Sequence, residues 1–184
     1  KEKKRFKVIQ EKLAKLSTQF EENILDATNE FSIFIAHLDE LAGIPEENIK
    51  KAHAEAKEDK KEGYKFTLHF PSYLPVMQYA DSRALREKLY RAYATRASEL
   101  ATSKFDNTNL IDEILALRYE SSQLLGFKHF TEMSLVTKMA KSSEEVITFL
   151  TDLANKAKPF ALKDMDELQA FAKRSEEHTS ELQS

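Results

Sequence analysis

The first forty residues of the chain carry a long apolar stripe that no glycine or proline interrupts before Gly43 and Pro45. Its large apolar side chains recur at steps of three, four or seven, which places them on one face of an α-helix. The spacing predicts one long amphipathic helix, or a helical hairpin with a break between Asp26 and Asn29, that ends at Gly43 as its C-cap. The stripe consists of Phe6, Ile9, Leu13, Leu16, Phe20, Ile24, Phe31, Ile35, Leu38 and Leu41.

Glycine and proline are rare throughout the chain, with three and four copies in 184 residues. A β-rich domain needs many tight turns, and those turns draw on these two residues. The hydrophobic fraction of 41%, which includes 12 Phe and 6 Tyr, is large enough to build a core. The composition therefore predicts a mainly α fold, a multi-helix array that forms one domain or a piece of a larger one.

One short β-strand is predicted near residues 64–70. Tyr64, Phe66, Leu68 and Phe70 alternate with polar residues after a glycine, which is the period of two expected for a strand, and Pro71 ends the pattern. A single strand cannot satisfy its own backbone hydrogen bonds. Its partner must therefore lie elsewhere in the chain or in a part of a longer protein.

Five further helices are predicted from local start signals, a proline or a short polar residue ahead of acidic and apolar residues. Gly126 is expected to close the fourth of them. The fifth has a capping box with Glu145 and is expected to break at Pro159, after which a last helix follows. The five predicted starts are Pro45, Ser72, Ser82, Asn109 and Ser142.

The charge balance excludes several classes of partner. The net charge is −3, from 28 basic and 31 acidic residues, and no basic stripe of the kind that binds nucleic acid or membrane surfaces is present. No apolar run approaches the roughly 20 residues of a membrane span. The chain has no cysteine, which suits a reducing cytoplasm. We expect neither a nucleic-acid nor a membrane role, and the oligomeric state stays open.

The residues that carry catalytic chemistry form no recognisable motif. A helix-borne zinc site needs two histidines one turn apart, as in H-E-x-x-H, and no two of the five histidines lie within five residues of each other. The pairs His37–Glu40 and His129–Glu132 would need further ligands to hold a metal. No thiol nucleophile and no G-x-S-x-G elbow occur. We therefore assign no catalytic or metal-binding residue, and substrate-binding residues are unknown. The histidines are His37, His53, His69, His129 and His178.

Two other features were weighed as binding surfaces. The polar loop from Ser103 to Asn109 could touch a ligand, but most such loops only connect helices. An aromatic cluster could form a peptide-binding wall, but its more economical interpretation is packing between the strand and the following helices. The cluster comprises Tyr64, Phe66, Phe70, Tyr73, Tyr79, Tyr90 and Tyr93.

Several long and uncommon strings occur in a fixed order along the chain. They are LDAT at 25–28, FPSYLPVMQYAD at 70–81, LREKLYRAY at 85–93, TRAS at 95–98, EILALR at 113–118, LLGF at 124–127 and SLVTKMA at 134–140. Together they resemble the oligopeptidase A branch of the thimet-oligopeptidase-like zinc peptidases, and the resemblance covers residues 1–173.

This resemblance implies a mostly helical, two-lobed body around a deep channel that admits short, unfolded peptides. It also implies a zinc ion held by the two histidines of an H-E-x-x-H helix and a later glutamate, with the motif glutamate as general base. All of those residues lie in a later part of the family chain, so none is carried over to a position here. The resemblance thus predicts that residues 1–173 are a helical partial domain that walls the channel, binds no zinc and is inactive alone.

The two ends of the chain carry expectations of their own. The chain does not begin with Met, and we expect its start to lie upstream. Residues 174–184 depart from the family pattern and resemble the in-frame translation of a sequencing adapter, so we expect an artefactual, disordered or weakly helical tail. A natural polar tail is the alternative.

Two rival functions were compared with the oligopeptidase hypothesis. An intact, non-enzymatic helical binding or scaffold module would fold into a monodisperse product, whereas a partial lobe would expose apolar surface. A metal-storage bundle would need E-x-x-H pairs on facing helices, and no such pair occurs.

Overall fold

The computed structural model describes residues 2–101 and 104–181, with side chains up to Arg174. The chain forms two compact units that divide between Ser121 and Ser122. Most of the described residues are helical, which confirms the predicted mainly α fold. In chain order the elements are α1 (Glu2–Glu30), β1 (Ser32–Ile35), a short 3₁₀ helix (Leu38–Leu41), α2 (Glu46–Glu58), β2 (Tyr64–Thr67), α3 (Phe70–Tyr79), α4 (Arg83–Thr95), α5 (Thr108–Leu124), α6 (Phe130–Leu135) and α7 (Ser143–Glu181).

The helix predicted to reach Gly43 ends at Glu30, and the longer prediction was wrong. Ile9 and Leu16 are buried on the predicted face of α1, so the stripe is helical up to that point. Beyond it the chain forms β1, whose sequence SIFI is rich in the β-branched and aromatic residues that favour strands. Ile33 is buried there and pairs with Phe66 across the sheet. The spacing of the apolar residues fits both a helix and a strand in this segment, and pairing with β2 decides between them.

The predicted strand near 64–70 is confirmed as β2, which is shorter than expected and has its partner within the chain. β1 and β2 pair antiparallel, with Ser32 opposite Thr67 and Ile35 opposite Tyr64. Phe70 belongs to α3 rather than to the strand. Ser72 does not cap that helix, because its hydroxyl accepts a hydrogen bond from the backbone N–H of Thr67 at 3.0 Å.

The core of the first unit lies around this two-stranded sheet. α2, α3 and α4 contribute apolar side chains to it, together with the turn between β1 and α2. Gly43 in that turn has a φ of +84°, and a Cβ there would overlap the carbonyl oxygen of Tyr79. The turn therefore requires glycine for both its backbone conformation and its close approach to α3. The buried core residues are Ile33, Leu41, Ile44, Ala52, Phe66, Leu68, Val76, Ala80, Leu85 and Leu89.

Helix α1 runs antiparallel to α5 within the first unit, and polar contacts join them along their length. Arg5 near the start of α1 forms an ion pair with Glu120 near the end of α5, with 2.5 Å between Nη2 and Oε2. Further along α1, Lys12 forms an ion pair with Glu113, which precedes Glu120 in α5. Ile114 and Leu117 of α5 are buried.

Two helix-end predictions are confirmed in the first unit and at its boundary. The hydroxyl of Ser82 accepts a hydrogen bond from the backbone N–H of Leu85 at 3.2 Å and so caps α4. Gly126 follows α5 with a φ of +81°, the left-handed conformation that glycine adopts most readily.

The second unit consists of α6 and the 39-residue helix α7. Ser142 caps α7 by accepting from the backbone N–H of Glu145 at 3.1 Å, as predicted. The return contact of the predicted capping box differs, because the Glu145 carboxylate accepts from the N–H of Lys141 at 2.7 Å instead of that of Ser142.

The predicted break at Pro159 was wrong, because α7 continues through it. Proline inside a helix removes one hydrogen bond and crowds the preceding turn. At about 100° per residue, Pro159 lies on the polar side of α7 with Asn155 and Lys163. The carbonyl that loses its partner there can be hydrated, which makes the interruption tolerable.

The backbone of residues 174–181 continues α7, where we expected a disordered or weakly helical tail. Residues 182–184 lie outside the described part of the chain. The artefactual origin of this segment rests on its amino-acid letters and stays a prediction.

Candidate functional site

The histidines whose side chains are described lie on separate elements. His37 precedes the 3₁₀ helix, and His69 and His129 are the N-cap residues of α3 and α6. His53 lies in α2, where its Nδ1 is 3.0 Å from the carbonyl oxygen of Gly63 and its ring packs against Tyr64. That contact ties α2 to the turn before β2. The side chain of His178 lies outside the described residues.

The histidine–carboxylate pairs considered from sequence do not form metal sites in the described residues. The Glu132 carboxylate accepts a hydrogen bond from the backbone N–H of Lys128 at 3.0 Å, so it stabilises the start of α6. Among the side chains up to Arg174 that the structure describes, no three His, Cys, Asp or Glu residues converge on one point. This donor set does not fit a zinc ion, which takes three or four such ligands in proteins.

The aromatic cluster divides into a packed part and an exposed part. Phe66 is buried in the core, and Tyr64, Tyr73 and Tyr93 pack against it, which confirms the packing interpretation for these four residues. The rings of Tyr73 and Tyr93 stack with 4.4 Å between their centroids. Burial raises the pKa of the Tyr73 hydroxyl, and the nearby tyrosines Tyr93 and Tyr90 add to this effect. The remaining members, Phe70, Tyr79 and Tyr90, are exposed.

The polar loop before α5 is held to α1 by Asn107, a residue that sequence reasoning did not single out. Asn107 is 2% exposed. Its amide oxygen accepts from Asn23 at 2.8 Å, and its amide nitrogen donates to the carbonyl oxygen of Phe20 at 3.1 Å. The described part of the loop, 104–109, is thus fixed by a buried polar contact, and Ser103 lies outside the described residues. No local sequence pattern marks such a long-range tether.

A groove of about 530 Å³ with charged walls lies between the end of α1, β1 and the end of α4. Glu30, Arg91, Thr95 and Arg96 line it. The Arg91 guanidinium is already paired with Glu87, with 2.8 Å between Nη2 and Oε1. The described lining contains neither histidine nor cysteine, so the groove lacks an imidazole base and a thiol nucleophile.

Arg96 in this groove is fixed by its neighbours on α4. Its guanidinium stacks over the Tyr93 ring, 3.8 Å from the ring centroid, and its Nη1 donates to the Tyr93 carbonyl oxygen. Its Nε is buried and has no hydrogen-bond partner. Because this donor is shielded from solvent, it cannot serve a ligand in the groove without a change in side-chain conformation.

Comparison with known proteins identifies the family, which the local geometry does not. The model of Peptidase family M3 matches residues 76–184, which is more than half of the chain. The chain belongs to peptidase family M3. Oligopeptidase A of Salmonella typhimurium is 48% identical over 171 residues, and that of Escherichia coli is 47% identical, in both cases over 92% of this chain and 25% of the relative. The Arabidopsis thaliana protein named probable cytosolic oligopeptidase A is 42% identical over 91% of this chain and 24% of the relative.

The M3 relatives are much longer than the segment they share with this chain. The chain spans about a quarter of the length of the curated relatives it matches. None of the described helices combines the length and the apolar character that a membrane crossing requires.

Proposed function

We propose that this chain is a non-catalytic, helical part of a cytoplasmic zinc-dependent metalloendopeptidase of the oligopeptidase A type. The parent protein hydrolyses internal bonds of short peptides. Residues 1–173 contribute to the lobe that walls its substrate channel, and thereby restrict the size of the peptides that enter.

The similarity to oligopeptidases A carries the proposal. The chain is nearly half identical to them along 92% of its length. Sequence identity at this level over a long alignment supports a shared fold and a shared role within the parent protein. The zinc ion and the residues that hold it are then assigned to the remainder of an M3 chain, and no residue of this chain is given a catalytic role.

The test compares the chain alone with a full-length chimera. In the chimera, residues 1–173 replace the matched quarter of Escherichia coli oligopeptidase A. Both proteins are assayed with an internally quenched peptide, and their bound metal is measured by mass spectrometry. We expect cleavage and stoichiometric zinc in the chimera, and neither in the chain alone. Chelator-sensitive cleavage by the chain alone, or a folded chimera that binds zinc without cleaving peptides, would contradict the proposal.

A non-enzymatic helical binding or scaffold module remains the second candidate. The closed core around the β1–β2 sheet favours it, because such a core is able to stabilise a folded unit by itself. Sedimentation velocity and binding of an apolar dye separate the two candidates. A monodisperse chain that binds no dye would support the module, whereas a dye-binding, self-associating chain would support the partial lobe.

The proposed artefactual origin of residues 174–184 has a separate test. The source locus is sequenced past the codon for Lys173. A reading frame that continues into an H-E-x-x-H motif supports the proposal. A genomic sequence that encodes residues 174–184 followed by a stop codon contradicts it and favours the helical module.

A further inference from the structure

Helix α7 presents a row of large apolar side chains to solvent. Nine of its large apolar side chains are between 52% and 72% exposed, which is far more than those of α1 to α4 that face the core. Monomeric proteins seldom leave more than a few hundred Å² of contiguous apolar surface in water. The exposed residues are Ile147, Phe149, Leu150, Leu153, Phe160, Leu162, Met165, Leu168 and Phe171.

Six of these residues lie on one side of α7. At the α-helical rotation per residue they fall within an arc of about 100°, the width of a face that packs against a protein core. We call this set the α7 stripe. The arc also contains Asp164 and, at its edge, Glu167, which pairs with Lys163 at 3.7 Å. Beside the arc, Lys156 pairs with Asp152 at 2.7 Å. The α7 stripe comprises Phe149, Leu150, Leu153, Phe160, Leu168 and Phe171.

The spacing of the stripe argues against a coiled coil with a second copy of the chain. Such a seam needs apolar residues at the a and d positions of a seven-residue repeat. A repeat that starts at Val146 as a and Phe149 as d would place Lys156 and Lys163 at d, and Glu167 at a. The alternative repeat, from Ile147 as a and Leu150 as d, would place Asp164 at d. The stripe instead follows the period of a straight helix in a globular core.

The charges of α7 argue against a membrane surface as the partner. Helices that lie on membranes carry a polar face rich in lysine and arginine. In α7 up to Arg174, acidic residues are interspersed with basic ones, including Asp152 and Asp166 on the polar side and Glu167 at the edge of the stripe. An apolar protein surface is the partner whose chemistry matches an apolar stripe with flanking charges of both signs.

The length of the relatives indicates which polypeptide supplies the apolar partner surface. The chain accounts for about a quarter of each M3 relative, so three quarters of such a polypeptide lie outside it. We propose that the α7 stripe is the docking surface for the remaining part of an M3 peptidase chain, which covers it with apolar side chains of neighbouring helices. This inference rests on the proposed function and names the surface through which the segment joins the parent protein.

Thiol protection tests the proposal directly, because the chain has no cysteine of its own. Leu153→Cys introduces a thiol within the stripe, and Asn155→Cys introduces a matched thiol two residues away on the polar face. Each is placed in the full 184-residue chain and in the chimera with Escherichia coli oligopeptidase A. Maleimide labelling of the α7 peptide is then followed by mass spectrometry.

We expect both thiols to label at similar rates in the chain alone. In the chimera, labelling of Leu153→Cys should fall by at least about tenfold, because a packed interface opens only rarely, while Asn155→Cys stays reactive. Equal labelling of the two thiols in the chimera would overturn the proposal, as would failure of the unsubstituted chimera to fold. Concentration-dependent protection of Leu153→Cys in the chimera would show that a second copy covers the stripe instead.

The peptidase assay separates this inference from the proposed function. If the chimera protects Leu153→Cys but does not cleave peptides, the docking surface is supported and the proposed activity is contradicted. If the chimera cleaves peptides while Leu153→Cys stays fully reactive, the activity is supported and the docking surface is contradicted.

Discussion

The helices around the β1–β2 sheet and the long helix α7 have similar apolar periodicity, yet they bury it to very different degrees. Phe66 at the centre of the sheet is 2% exposed, whereas Phe160 in the middle of α7 is 72% exposed. The first region has partner elements from within the chain, namely α2, α3 and α4. Helix α7 carries large apolar side chains that are exposed. An apolar stripe in a sequence thus indicates that a helix face packs against a partner. It does not show whether that partner belongs to the same chain.

The largest expected effect comes from removing the same side chain in the two regions. Phe66→Ala should lower the free energy of unfolding by about 3–5 kcal/mol, because it leaves a cavity in a packed core. Phe160→Ala should change it by less than about 0.5 kcal/mol, because the side chain is already in water. Urea unfolding followed by circular dichroism measures both. A loss of several kcal/mol in Phe160→Ala would mean that α7 is covered in solution.

A matched pair of glycines gives the next effect. Gly43→Ala should cost about 2–4 kcal/mol, since the new Cβ adds an overlap with Tyr79 to the strain of a positive φ. Gly126 has a similar φ, but no atom lies within 4 Å of a Cβ built there. Gly126→Ala should therefore cost only about 1 kcal/mol. Thermal unfolding of the two variants separates the cost of backbone strain from the cost of the overlap with Tyr79. Equal losses of stability in the two variants would contradict the close approach at Gly43.

Removal of a helix cap should have a smaller effect on stability, and the two regions can again be compared. Ser82→Ala removes the hydrogen bond to Leu85 and should lower the unfolding free energy by about 1 kcal/mol, because α4 belongs to the core. Ser142→Ala removes the equivalent contact in α7. It should reduce helix content near residue 143 without moving the main unfolding transition. Hydrogen exchange of individual amides checks both, and a common shift of the main transition would contradict the difference between the regions.

The smallest effect concerns the ion pair that joins α1 to α5. The Arg5 guanidinium donates hydrogen bonds to Glu120 and lowers the pKa of that carboxyl from its ordinary value of 4.5. Because the folded pKa lies below the unfolded one, the pair stabilises the fold above the ordinary pKa and loses this contribution as the pH falls through the lowered value. Glu120→Gln should therefore be slightly less stable than the parent chain at neutral pH and equal to it in acid. The effect should weaken in salt, because both side chains are largely exposed.

Asp152→Asn in α7 is the control for the ion-pair prediction. Asp152 pairs with Lys156 one turn away on an exposed helix. Its removal should leave the pH dependence of the main unfolding transition unchanged. Stability curves of both variants across acid and neutral pH would contradict the interpretation if they shifted together.

Local signals were sufficient for the helix ends that a single residue determines. The caps at Ser82 and Ser142 and the glycine after α5 were predicted from sequence because each depends on neighbours within a few residues. The strand β1 was missed for the opposite reason. Its apolar residues fit two periods, and the choice is made by pairing with β2, which lies far away in sequence.

The continuation of α7 through Pro159 and the contacts of Asn107 illustrate the same limit. Whether Pro159 ends α7 depends on which side of the helix it occupies, and the presence of a proline alone does not settle that. Asn107 gives no sign in the sequence of its buried contacts with Asn23 and Phe20, because those partners lie on another helix. The family, in contrast, could be identified from strings that are spread along the whole chain.

The pairing of β1 with β2 also has a consequence for synthesis on the ribosome. Ile35 pairs with Tyr64 and Ser32 with Thr67, so about thirty residues must be added after β1 before its partner exists. At typical rates of elongation this takes roughly 2–6 s, during which the edge of β1 is unpaired. α1 can form at once from local contacts, whereas the core next to it has to wait for β2. A strand of only four residues limits the opportunity for mispairing with other nascent chains during that interval.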